Sequence, residues 1–290
     1  MHPAPSVIFF TAFSGLGFGL LAWLGIGLPP VSGWVAFVFY LLAFGMAVGG
    51  LLASVFHLAN PKNAIKAFSQ WRSSWLSREG VMSVLALLTM APYAFAQVFF
   101  GETFRTLGIL GAVLCLITVF TTSMIYTQLK TVPRWNSPLT PVMFLLYALG
   151  GGALLAGQIR PAVALLAVLG VVQVLAWLQG DAKGQTGESS IETATGLGRI
   201  GKTRLLEPPH SGQNYLLSEM AYTVARKHAL KLRLIALICA FALPVFLLVA
   251  LPVTHFVALL AVLSHIVGVL AARWLFFAEA SHVVRLYYGK

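Results

Sequence analysis

Eight stretches of about 20 mostly apolar residues run through the chain, each long enough for an α-helix to cross the bilayer core. They lie at roughly 6–27, 34–57, 80–100, 106–127, 139–158, 161–179, 231–250 and 254–277. Only a helix satisfies the backbone polar groups of one such run internally. The pattern predicts an all-α, polytopic integral membrane protein with eight transmembrane helices, a single membrane domain over residues 1–290. Composition agrees. The chain is 59% hydrophobic and 9% charged, with a mean hydropathy of +0.87. A soluble domain is nearer half apolar and a quarter charged.

The connections decide the orientation. Residues 28–33, 101–105, the turn at Ile159–Arg160–Pro161 and the turn near Pro252 are short and nearly uncharged. The connections 58–79, 128–138 and 180–230 are long and basic. Eight spans put both termini and these basic loops on one side. Of 19 Lys and Arg residues, Arg105 and Arg160 fall on the other side, which leaves 17 on the loop side. The positive-inside rule then predicts cytoplasmic N- and C-termini, with 180–230 a long cytoplasmic loop between helices six and seven. The net charge of +11 is thereby read as a topology signal and a docking face for an acidic or phosphorylated partner, not as nucleic-acid binding. The opening MHPAPSVIFF has no basic n-region or A-x-A site and reads as a retained first helix.

Segment 180–214 is rich in Gly, Ser and Thr and cannot by itself offset the entropy of ordering. It is either flexible or held by a partner. The pairs Gly15/Gly19 and Gly45/Gly49 suggest close helix packing.

The first polar ground after two apolar runs is His57–Gly80, and the chemistry is expected there. His57 closes the second helix and Glu79 opens the third. A quinone headgroup needs a partner for each carbonyl and a route for two protons. Histidine and a carboxylate at the membrane boundary can supply both. The plainer reading stays open: His57 caps interfacial structure, and Glu79 favours the positive end of helix three. Lys62, Lys66 and Arg72, with Trp71 and Trp75, form a cationic, aromatic rim beside Arg78. It serves positive-inside anchoring, the docking of a cytoplasmic subunit, or both. Arg134 is a further docking candidate, and Gln173 needs a hydrogen-bond partner in the bundle.

Other histidines raise the possibility of a b-type haem, which needs two opposed imidazoles. Only His265 lies deep in a span; His228, His255 and His282 lie near helix ends. No haem is expected. Glu279, His282 and Arg285 recur every three residues after the last span and would share one helix face, with Glu279 pairing nearby cations. Cys115 and Cys239 both lie in apolar runs without a CxxC or Cys/His cluster, so no iron–sulfur or metal site is encoded. No broken helix pair or mid-membrane acid pair marks a transporter.

The run S-V-F-H-L…A-F…S-W-L-S-R-E over Ser54–Glu79, the opening FFTAFSGLGFGL and the closing W-L-F-F-A-E…R-L-Y-Y carry a resemblance. In them the chain resembles the membrane-anchor subunit of the dimethyl sulfoxide reductase family. The resemblance implies two partners: a molybdopterin catalytic subunit and an iron–sulfur subunit with four clusters. It also implies electron exchange with ubiquinone or menaquinone as an exchangeable substrate, and no haem. The family's functional histidine falls on His57 and its glutamate on Glu79. One departure stands out. The docking side of dimethyl sulfoxide reductase faces the periplasm, whereas here that side carries nearly all the Lys and Arg. That looks like the sulfite-oxidising branch, with soluble subunits in the cytoplasm of a bacterium and the anchor in its inner membrane. A quinol-oxidising terminal reductase is the alternative within the class. A transporter or structural scaffold is the alternative from another class.

Overall fold

A computed structural model describes residues 1–56, 61–186, 190–207 and 228–288; the side chains of 61–64, 67, 184–186 and 288 lie outside the description. His57 lies outside the described residues. Among the described residues eight apolar helices follow in chain order: α1 Pro5–Gly25, α2 Gly33–Val55, α3 Trp75–Phe100, α4 Arg105–Thr127, α5 Leu139–Leu155, α6 Ile159–Lys183, α7 Ala229–Ala250 and α8 His255–Ala278. Seven are long and apolar enough to cross a membrane; α5, at 17 residues, is the shorter one. No strand occurs among the described residues. The chain is a multi-helix membrane protein.

Local chemistry sets the ends. Gly27, Gly101 and Gly157 take the left-handed conformation just after α1, α3 and α5, where an L side chain would be strained. Ser74 and Thr254 cap the starts of α3 and α8, accepting hydrogen bonds from the Ser77 and Val257 N–H groups. The Ser74 cap starts α3 at Trp75, five residues before the apolar run itself. Glu79 is therefore inside the second turn of the helix rather than at its first residue. Likewise α6 runs on helically to Thr186, into the stretch expected to begin the long loop.

Helix α1 is the hub. Of its most apolar window 72% is buried, against 28% for α2, because α2, α4 and α5 all pack on it. Glycines allow the approach, but only some of those singled out from sequence. A Cβ on Gly19 would stand 1.9 Å from the Ala148 carbonyl oxygen of α5, and one on Gly17 2.3 Å from the Ala47 nitrogen of α2. Gly15, Gly45 and Gly49 meet nothing within 4 Å. The contact on the α2 side is made instead by Gly50, against Ser14.

The N-terminus, the 128–138 connection, the end of α6 and the C-terminal tail gather on one face. The Met1 amino group donates to the Ala280 carbonyl. The Val283 N–H donates to the Thr131 carbonyl at 3.0 Å, and Lys183 to the Asn136 carbonyl at 2.7 Å. An even number of spans requires this arrangement of the ends.

A ring of two arginines and two carboxylates ties that face together. Arg134 pairs with Asp181, and with Glu279 at 3.0 Å. Arg233 pairs with the same two acids, each at 2.7 Å. Glu279 thus pairs nearby cations as expected, but the shared helix face with His282 and Arg285 does not form. Helix α8 ends at Ala278, and a 3-10 helix, Val283–Tyr288, follows. The ion ring holds Glu279 and the Thr131 carbonyl holds Val283, so the chain turns between them instead of continuing as a helix.

Candidate functional site

Glu79 is 4% exposed and faces the α3–α4 interface. Thr122 of α4 donates its hydroxyl to Glu79 Oε1 at 2.9 Å. Tyr126, one turn further along α4, lies within electrostatic range of both Glu79 and Arg273 of α8. Its ring packs edge-on against Trp135, Phe276 and Phe277, so the phenol stands in an aromatic wall. A carboxylate in this setting can take up and release a proton without leaving its hydrogen bond.

The 3-10 helix Pro61–Gln70 lies against the start of α3. Phe68 covers Gly80, where a Cβ would be 3.1 Å from the ring. Arg78 turns to this segment rather than to Glu79. Its Nε donates to the Trp71 carbonyl at 3.0 Å and its terminal nitrogen to the Arg72 carbonyl at 2.6 Å, with the guanidinium 4.3 Å from the Trp75 ring centre. Trp71 and Lys66 are exposed, and Arg72 lies beside the Trp71 ring. Trp75 packs edge-on against Phe120. Lys62 belongs to the 3-10 helix, with its side chain outside the described residues. Arg134, 17% exposed, is held in the ion ring and ties the 128–138 connection to it. The structure thus brings Glu79, Arg78, Trp71, Arg72 and Trp75 to one end of α3, while Arg134 pairs with Asp181 and Glu279.

His265 is 1% exposed. Its Nδ1 is 2.7 Å from the Ala240 carbonyl, while Nε2 abuts the backbone of Gly151, where a Cβ would stand 2.9 Å away. Nε2 is buried and has no hydrogen-bond partner among the described residues. At the tail, His282 accepts a hydrogen bond from the Val284 N–H, and burial holds its imidazole below the ordinary histidine range.

Gln173 receives the partner its burial requires: the Tyr147 hydroxyl donates to its Oε1 at 2.8 Å. Sequence reasoning missed Thr122, Tyr126, the Asp181 and Arg233 members of the ring, and the burial of Arg273 without an ion pair among the described residues. Only Arg273 had a usable signal, being a charged residue within an apolar span.

The model of the family described as DMSO reductase anchor subunit (DmsC) matches residues 2–289. A sulfite dehydrogenase subunit of Allochromatium vinosum is 30% identical over an alignment of 323 positions that covers 99% of each chain. No solved structure matches. Eight apolar helices, a capped third helix with its buried glutamate and a whole-chain family match agree: the chain belongs to the family of DMSO reductase anchor subunits.

Proposed function

We propose that the chain passes electrons between an iron–sulfur subunit and the membrane quinone pool, with a quinone headgroup bound near Glu79, Arg78 and His57. The observation that carries this is the buried Glu79 carboxylate, held by Thr122 at the end of α3 nearest the basic 61–78 segment. Reduction of a quinone takes two electrons and two protons. Glu79 would deliver one proton at a carbonyl oxygen and be recharged from the aqueous side; His57 would serve the other carbonyl. Arg78, tied to the Trp71 and Arg72 carbonyls, would orient the covering segment rather than neutralise Glu79.

The electron source is sulfite, oxidised in a molybdopterin subunit and relayed through iron–sulfur clusters. The similarity to a sulfite dehydrogenase subunit supports this direction. The charge split supports a bacterial inner membrane with both termini and the soluble subunits on the cytoplasmic side. The alternative is the opposite direction, quinol oxidised by an S-oxide-reducing complex, which the family description favours. To decide, the complex is purified through a tag on this chain and given sulfite and a short-chain quinone. Co-purification of both soluble subunits with sulfite-dependent quinone reduction is expected. S-oxide-dependent quinol oxidation without sulfite activity would reverse the direction.

Lys62, Lys66 and Arg72, flanked by Trp71 and Trp75, would receive the iron–sulfur subunit, with Arg134 supporting the neighbouring connection. Exposed charges are screened over about 8 Å at physiological salt. Lys66→Glu with Arg72→Glu should therefore release the soluble subunits at moderate salt, seen as their loss from the tagged fraction. Co-purification at the wild-type level would leave these residues only an anchoring role. Topology has its own check: a reporter fused after Lys290 should be active in the cytoplasm, and one within 101–105 in the periplasm.

A further inference from the structure

We propose that a cavity between α5, α6 and α8 binds a phosphate group on Arg273. Arg273 lies five residues before the end of α8 and is 3% exposed. Its guanidinium carbon stands 3.8 Å from the Phe144 ring centre and 4.9 Å from that of Tyr147. The Nε is buried without a hydrogen-bond partner, and among the described residues Arg273 forms no ion pair. A buried cation in this state is costly unless something pairs with it. Cation–π contact with two rings offsets part of that cost but satisfies no N–H group.

The charges around the cavity do not supply the missing partner. Glu279 and Arg134 line it, but both belong to the ring with Asp181 and Arg233, in which two cations and two carboxylates cancel. Glu79 makes no ion pair with Arg273 among the described residues. Arg273 is the surplus charge.

The hydroxyls of Ser137, Thr140 and Tyr147 in the lining already donate to other groups, and the further donor is an amide. Tyr147 gives its hydroxyl proton to Gln173 Oε1, which leaves the Gln173 amide N–H groups as the available function of that side chain. The cavity measures about 30 Å³. That is room for about two water-sized positions. Two phosphate oxygens on a guanidinium fork fit that space, the bidentate geometry that distinguishes arginine from lysine. A neutral carbonyl would leave the charge uncompensated; a phosphate pairs with it.

Two sources offer that chemistry. A phospholipid phosphate can reach in near the membrane surface, where basic pockets between helices take anionic headgroups. Inorganic phosphate can enter from the aqueous side past the ion ring. The site is independent of the quinone reading, since neither Glu79 nor the 61–78 segment lines it.

The test uses the purified complex in maltoside detergent, stripped of lipid and phosphate. Thermal unfolding of this chain is followed while inorganic phosphate or phosphatidylglycerol is titrated, with chloride at matched ionic strength as control. A saturating rise of roughly 5 °C with either ligand is expected. A response to phosphate identifies the free ion as a ligand; a response to phosphatidylglycerol alone identifies the lipid headgroup. Arg273→Gln should abolish the response. Should that variant not fold, Gln173→Leu takes its place and should shift the titration about tenfold to higher concentration. No rise with either ligand, an equal rise with chloride, or a response unchanged in the variant that folds overturns the proposal.

Discussion

Glu79→Gln is expected to cut quinone-coupled turnover by roughly 10²–10⁴, the usual worth of a positioned acid–base group. Electron transfer from sulfite to an artificial dye should stay near wild type, because the dye takes electrons without needing this carboxyl's proton. The substitution is nearly isosteric. The Gln carbonyl can still accept the Thr122 hydroxyl, so the α3–α4 interface should remain intact. Thr122→Val is the companion variant: it removes the hydrogen bond and keeps the acid. It should cost quinone turnover far less than Glu79→Gln does, while changing its pH profile. His57→Ala should resemble Glu79→Gln in losing quinone turnover with dye activity retained. Wild-type quinone kinetics in Glu79→Gln would put the site elsewhere, whatever the direction of electron flow.

Gly19→Ala should be among the most damaging single-methyl changes in the chain. The added Cβ would stand 1.9 Å from the Ala148 oxygen and 2.6 Å from its carbonyl carbon, both of them backbone atoms. No rotamer change relieves this; α1 and α5 must separate. Forcing extra volume into a packed core costs about 1–3 kcal/mol, and a clash with backbone belongs at or above the top of that range. The position is worse than an ordinary core site because α1 is the helix on which α2, α4 and α5 all rest. Gly15→Ala, four residues earlier, meets nothing within 4 Å. It should be neutral, or stabilising by up to about 1 kcal/mol through helix propensity. Thermal unfolding and yield of the two variants in detergent give the comparison. Similar behaviour of the two would mean that α1 and α5 do not pack as described.

The ion ring shows why part of the site was not legible. Arg134, Asp181, Arg233 and Glu279 are far apart in the chain, and each alone looks like a surface charge near a helix end. Only the docking of the 128–138 connection onto the ends of α6, α7 and α8 makes them one neutral cluster. The same docking turns the chain after Glu279 and removes the helix face that a three-residue spacing implied. Arg78 shows the reverse case. It is adjacent to Glu79 in sequence, yet consecutive helical residues point about 100° apart, and it faces the covering segment.

What the chain determined by itself is what depends on local length and polarity. The eight crossings, the common side of the basic connections and the polar end of α3 all follow from apolar runs and charges counted along the sequence, because a bilayer penalises every unsatisfied backbone group and most charges within it. Tertiary structure alone decided which glycines are contacts, what Glu79 touches, and that Arg273 meets two aromatic rings but no carboxylate among the described residues. Gly15 and Gly19 occupy the same kind of position in sequence, and only the presence of α5 beside one of them makes it irreplaceable. Apolar helices carry little pattern to say which face meets which neighbour: lipid and protein interior are equally oily, so the hydrophobic effect does not choose between them. The choice falls to close packing and buried polar pairs, which exist only once the helices have met.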